Sequence, residues 1–253
     1  MKQLIQSLAT GSSQLHDVPV PAIARGQLLI LSACSLVSAG TERMLVDFGK
    51  SNWIDKARLH PDKVQQVLEK ARTDGPFTTL DAVRSKLDQP LPLGYCNVGT
   101  VVAVGSGVVG FQVGDRVASN GPHAELVALP QHLCALIPPC VSDEAAAFTV
   151  LASIGLQGIR LANPTLGETF VVSGLGLIGL LTAQLLVAQG CRVLGLDPDP
   201  TKCSLAESFG ITALHLTSGV DPVAWCLDQT AGIGVDGVLI TAATSSSEPV
   251  HVA

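Results

Sequence analysis

Charged side chains are scarce in this chain: Asp, Glu, Lys and Arg together make up 14% of its 253 residues. The balance is acidic, with a formal net charge of -6. No basic face is therefore expected to track a phosphate backbone, and nucleic acid is excluded as a principal partner. Aromatics are equally thin at 4%, and Tyr95 is the single tyrosine. The seven cysteines (34, 96, 134, 140, 191, 203 and 226) contain no Cys-x-x-Cys pair. An odd set at wide spacing fits neither a disulfide framework nor a zinc finger, and implies reduced thiols in a cytoplasmic protein. The 25 glycines lack a three-residue period, which excludes a collagen-like fibre. Met1–Pro21 lacks the apolar core of a signal peptide.

Apolar residues are what the chain has in quantity, at 47%, too many for a disordered protein. The mean hydropathy of +0.43 raises the question of a membrane. Thr169–Cys191 runs for 23 residues without a charge, long enough to cross a bilayer. Yet Gly174, Gly176 and Gly179 follow the short apolar run Phe170–Val172, so the stretch reads as strand, turn and buried helix. Gln89–Gly114 is also uncharged, but its prolines and glycines break any helix. No membrane partner is expected.

Charge is unevenly spread. Residues 43–88 hold nine of the fifteen Lys and Arg and seven of the twenty-one Asp and Glu. Pro61 followed by Val64, Val67, Leu68 and Ala71 predicts a helix, and Leu80, Val83 and Leu87 a second one. This segment reads as a charged helical insertion; a substrate lid or a partner-docking surface are the functional alternatives. Around it, short apolar runs at Gln27–Ala33, Gly99–Val104, Asp115–Ala118 and Ala124–Leu129 predict a compact all-β unit.

From Asp143 onward strands and helices alternate. Helices are predicted at Ala145–Leu161, Leu177–Gln189, Lys202–Phe209 and Pro222–Gln229. Strands are predicted at Thr169–Val172, Arg192–Leu196, Ala213–Leu216 and Val235–Thr241. That alternation implies right-handed crossovers and a parallel sheet. The fold class is thus α/β plus β: a β unit over 1–148 carrying the insertion 43–88, then an α/β unit over 149–253.

The sharpest motif is Gly174-Leu-Gly176-Leu-Ile-Gly179, between a strand and an apolar helix, with Asp197 at the end of the next strand. In a dinucleotide-binding turn the first glycine permits the tight bend, the second admits the pyrophosphate, and the third lets helix and sheet approach. The helix start at Leu177 and Ile178 offers N–H groups and a positive dipole end to the diphosphate. Asp197 is expected to accept from the adenosine ribose hydroxyls, which favours NAD over NADP because a carboxylate repels a 2′-phosphate. Asp199 reinforces that sign, and Lys202 and Thr241 complete the cofactor-binding set. A glycine-rich turn that binds nothing is the bland alternative.

With that fingerprint, the chain resembles the medium-chain dehydrogenase/reductase superfamily, which pairs a GroES-like β domain with a Rossmann domain. The likeness rests on Pro92–Ala118 (PLGYCNVGTVVAVGSGVVGFQVGDRVA), His123–Pro130 (HAELVALP) and GLGLIG. Leu36–Glu42 (LVSAGTE) and Leu91–Tyr95 (LPLGY) are similar to a branch of bacterial oxidoreductases in which such a module is fused to a second dehydrogenase domain. The resemblance implies a small-molecule alcohol or carbonyl substrate, sugar-related in that branch, and homo-oligomers or a fused neighbouring domain as partners. It also exposes departures. The column of the first zinc ligand falls on Val37 or Ser38, the second ligand is replaced in Gly94-Tyr95-Cys96, and Thr149–Gly155 holds no Cys or Asp. Cys134 and Cys140 are too few for a structural zinc lobe. No metal is expected.

Without a Lewis acid, hydride transfer still needs groups that manage an alkoxide and a proton. On loops that line the cleft of the resembled fold the candidates are Tyr95, Glu42, His123 and Thr41, with Cys96 as a lesser one. Each has a plain structural alternative: Glu42 as a salt bridge to Arg43, Arg116 or an insertion cation, His123 as a turn residue, Cys96 as a packed thiol. A full Rossmann sheet has six strands. Four are predicted here, so the chain is expected to be part of a longer protein. A non-catalytic nucleotide-binding or interaction module, and an NADPH-linked quinone reductase, are the competing functions.

Overall fold

The computed structural model describes residues 1–8, 10–50, 89–244 and 246–253. Most of the expected helical insertion, from 51 to 88, lies outside the described residues. The chain divides into two compact units, Met1–Val150 and Leu151–Ala253.

The first unit begins with β1 (Lys2–Gln6), β2 (Ser13–Asp17) and β3 (Gln27–Ser35), followed by α1 (Ala39–Lys50). After the insertion come β4 (Leu91–Pro92), β5 (Asn97–Val104), β6 (Arg116–Ser119), β7 (Leu126–Pro130), β8 (Cys134–Leu136) and the short α2 (Asp143–Ala146). Among the described residues they form an antiparallel sheet in the order β7-β3-β5-β6-β8 and a smaller one in the order β2-β1-β4. The period-two pattern of β3 explains the main sheet: Leu28 and Ile30 are fully buried while Leu31 faces out. They pack with Val101, Val117 and Val127. Every residue of β2 is exposed, so it carries no apolar alternation from which to read a strand.

The second unit runs from α3 (Thr149–Ala162) through β9 (Thr169–Ser173), α4 (Leu177–Ala188), β10 (Arg192–Asp197), α5 (Pro200–Ser208), β11 (Thr212–His215), α6 (Pro222–Gln229), β12 (Gly237–Ile240) and α7 (Glu248–Val252). Its sheet is parallel in the order β11-β10-β9-β12. Both faces are covered. Phe170, Val172 and Val193 pack on one side with Ala183 and Leu186 of α4, and Val171, Leu194 and Leu196 on the other with Leu214. Burial on both faces is why these strands read as unbroken apolar runs. Asp199 and Asp221 cap α5 and α6, each followed by proline in the first turn.

The single helix expected over Ala145–Leu161 is two, α2 and α3. Ser142 accepts from Ala145 N–H at the start of α2, and Asp143 is tied to Arg116 at 2.5 Å. No helix among the described residues is long and apolar enough to cross a membrane.

Candidate functional site

In the second unit the glycine turn is fixed from three sides. Gly174 has φ +96, and a β-carbon there would lie 2.6 Å from the Ala242 backbone. Its N–H donates to Leu196 O at 2.7 Å, and its carbonyl accepts from Thr241 Oγ1 at 2.6 Å. At Gly179 a β-carbon would sit 1.8 Å from Gly174 O, so helix and turn approach as closely as backbone permits. Gly176 is different: nothing lies within 4 Å of where its β-carbon would be. It is the N-cap of α4, and no side chain caps that helix. The donors at Leu177 and Ile178 thus follow an open, uncapped backbone surface, the arrangement a diphosphate requires.

Asp197 is 3% exposed. Its Oδ2 accepts from Leu175 N–H at 2.7 Å and its Oδ1 from Asp199 N–H at 2.8 Å. Lys202 Nζ lies 3.5 Å from Oδ1. The carboxylate therefore ties the glycine turn to the end of β10; Oδ1 is engaged by Asp199 and Lys202, and Oδ2 keeps a further lone pair for a ribose hydroxyl. Lys202, with 43% of its side chain exposed, is the outer charge of the pair. Asp199 also has a structural task. It caps α5, accepting from Thr201 N–H at 2.9 Å and from the Thr201 hydroxyl. Those two hydrogen bonds, the hydroxyl's first, hold its carboxyl below the usual aspartate range. Thr241 likewise supports the turn from beneath, through Gly174 O and, at 3.2 Å, Ser173 O. Burial, then the Asp197 carboxylate, push the nearby Cys203 thiol up.

The first unit gathers a polar cluster. Glu42 Oε1 accepts from Ser38 N–H at 2.8 Å, and Glu42 Oε2 lies 2.9 Å from His123 Nε2. His123 Nδ1 is 2.7 Å from Ser35 Oγ. Gly94, at φ +91, lies flat against the imidazole: a β-carbon there would come within 2.6 Å of the ring. The next residue, Tyr95, donates its hydroxyl proton to Thr41 Oγ1 at 3.3 Å. Four residues singled out in the sequence thus meet in two neighbouring hydrogen-bonded groups, joined by the adjacent pairs Thr41–Glu42 and Gly94–Tyr95.

Two expectations need correction. Thr41 and Glu42 lie in the first turn of α1, not on a loop, because Glu42 reaches back to the Ser38 N–H in the manner of a capping box. Among the described residues Glu42 meets His123 rather than Arg43, which pairs with Asp47, or Arg116, which pairs with Asp143; the cations of 51–88 lie outside the described residues. Cys96 is 1% exposed, as a packed thiol would be. The sequence gives no signal for Ser35 or Leu175, since one acts through a strand-end hydroxyl and the other through its backbone. Among the described residues, no three His, Cys, Asp or Glu side chains converge as a metal-binding set.

Comparison with known proteins agrees with this two-unit fold. The family model described as "Alcohol dehydrogenase GroES-like domain" matches residues 71–139, and that described as "Zinc-binding dehydrogenase" matches 178–249. An alcohol dehydrogenase of Moraxella sp. strain TAE123 is 25% identical over 241 residues, 81% of this chain and 71% of that protein. A D-guloside 3-dehydrogenase of Escherichia coli K12 is 34% identical over 153 residues, 59% of this chain; the match spans less than half of that relative, 44%. Galactitol-1-phosphate dehydrogenase from Escherichia coli shares the fold with a TM-score of 0.74 at 19% identity, covering 100% of this chain and 71% of the other. With a GroES-like model on its first unit, a dehydrogenase model on its second, the glycine turn after β9 and Asp197 at the end of β10, the chain belongs to the medium-chain dehydrogenase/reductase superfamily.

Proposed function

We propose that this chain serves a zinc-independent, NAD(H)-dependent oxidoreductase that interconverts an alcohol and a carbonyl on a sugar-related substrate. The observation that carries the reading is the glycine turn: open at Gly176, uncapped at Leu177, and tied through Leu175 N–H to a buried carboxylate at Asp197. In this reading residues 149–253 bind the nucleotide and residues 1–148 supply the substrate chemistry. Leu177 and Ile178 N–H groups hold the diphosphate, Asp197 and Lys202 the adenosine ribose, and Gly174, Gly179 and Thr241 keep the turn in shape. NAD is preferred because the carboxylate of Asp197 opposes a 2′-phosphate.

Bound nicotinamide supplies the hydride acceptor or donor. The protein's part is to orient the substrate oxygen and move a proton. Tyr95 and Thr41, a hydroxyl pair near the solvent, are suited to hydrogen-bonding that oxygen, and His123 backed by Glu42 to exchanging the proton. Zinc has no step here. The position of a ligand in zinc relatives is a tyrosine whose hydroxyl is bound to Thr41, and a neutral phenol is a poor substitute for imidazole or thiolate. The relatives that act on a guloside and on galactitol 1-phosphate favour a polyol or sugar derivative over a simple alcohol.

Titration with NADH tests the reading. Saturable enhancement of nicotinamide fluorescence, tighter for NADH than for NADPH by about tenfold, is expected from one repelled phosphate. Absence of any nucleotide binding would sink the proposal, and equal affinity for the two would remove its preference for NAD.

A further inference from the structure

Ser35 belongs to no motif, yet it completes a chain of three groups: Glu42 Oε2 to His123 Nε2 at 2.9 Å, and His123 Nδ1 to Ser35 Oγ at 2.7 Å. The side chains of His123 and Glu42 are 10% and 8% exposed. An ionised carboxylate only accepts hydrogen bonds, so the proton between the first two groups sits on Nε2. In a neutral ring the other nitrogen is then an acceptor, and a hydroxyl is the donor that suits it.

The placement of the ring does not need Ser35. His123 N–H donates to Leu93 O at 2.7 Å, its carbonyl accepts from Leu4 N–H at 2.9 Å, and the Gly94 backbone lies against the imidazole. What the Ser35 hydroxyl adds is a preference between the two ring nitrogens. We infer that Ser35 is a positioning residue that holds neutral His123 in its Nε2–H tautomer, leaving Nδ1 as the basic nitrogen and the Ser35 hydroxyl as the path by which a proton reaches it. Carboxylate, imidazole and hydroxyl in this order allow the ring to take a proton while the carboxylate stabilises the imidazolium. A bound nicotinamide would take up the hydride of each alcohol oxidised, and Nδ1 would receive the one proton released; reduction would return both. The transfer rests on the oxidoreductase reading above, whereas the tautomer does not.

The test is the imidazole region of long-range proton–nitrogen NMR spectra of the uniformly 15N-labelled full chain at neutral pH. The chain has six histidines, and the His123 signals are those lost in H123Q. The expected native pattern is a protonated Nε2 and a bare, hydrogen-bonded Nδ1. In S35A the two nitrogen shifts move toward each other as the tautomers mix, and in S35T they return to the native positions. A protonated Nδ1 in the native chain, protons on both nitrogens, or an S35A spectrum identical to the native one overturns the inference. The native spectrum decides the tautomer even if S35A does not fold. Loss of NADH binding would sink the oxidoreductase reading and leave this result untouched.

Discussion

Gly179 has no room for a β-carbon, since one would stand 1.8 Å from Gly174 O, a backbone atom already engaged by Thr241. Gly179→Ala must therefore push α4 away from the turn. The expected cost is about 2–4 kcal/mol in urea unfolding, with loss of NADH binding; a variant as stable as the native chain would contradict the close approach. At the same scale, the cysteines differ by environment. Burial pushes the Cys134 thiol up to about 11, so it stays protonated and unreactive at neutral pH, whereas Cys140 is exposed. Mass-spectrometric mapping of iodoacetamide adducts at pH 7.5 should find Cys140 modified roughly tenfold faster or more. The glycine turn was legible residue by residue, because each glycine answers a local steric demand. The partners of Glu42 were not, because His123 lies 81 residues away and only the folded first unit joins them.

Helix starts carry the next set of consequences. Asp199 caps α5 through Thr201, and its carboxyl is held below the usual aspartate range by those hydrogen bonds. A carboxyl whose folded value is lowered stabilises the native state at any pH above its unfolded value. That contribution is lost as pH falls through the folded value. Asp199→Ala is therefore expected to lower the Tm at neutral pH, with the gap to the native chain closing below pH 4. A gap that stays constant across pH 3–7 in calorimetry would show that the charge has no part in the cap. The apolar strands and helices of the second unit were readable from periodicity, since both faces of its sheet are buried. β2 was not, being exposed throughout, and the start of α1 was not legible as helix because Gly40 and Thr41 in its first turn are weak helix formers that the Glu42 side chain-to-backbone bond secures.

Across the whole molecule, the two units divide the proposed work. Substitutions should separate accordingly. Gly176→Val, which fills the open space beside the α4 start, is expected to abolish NADH binding. Glu42→Gln, in the other unit, is expected to leave the NADH Kd within about twofold while lowering turnover on a polyol by about 100-fold, a typical loss for a proton-transfer group. Isothermal titration and steady-state rates on the same preparations check both. An unchanged turnover in Glu42→Gln would remove the catalytic assignment, and a weakened Kd would show that the units do not act separately.

What the sequence determined by itself was the nucleotide turn, the parallel α/β character of the second unit and the family, because these depend on residues close in the chain and on a local period. Only the tertiary structure decided which groups Glu42, His123 and Asp197 engage. Those bonds join Ser35, Glu42 and His123 across β3, α1 and the segment before β7, and tie Asp197 at the end of β10 to the turn after β9. A hydrogen bond depends on distances of a few tenths of an ångström, and the chain sets these through sheet register and helix placement rather than through spacing along the sequence.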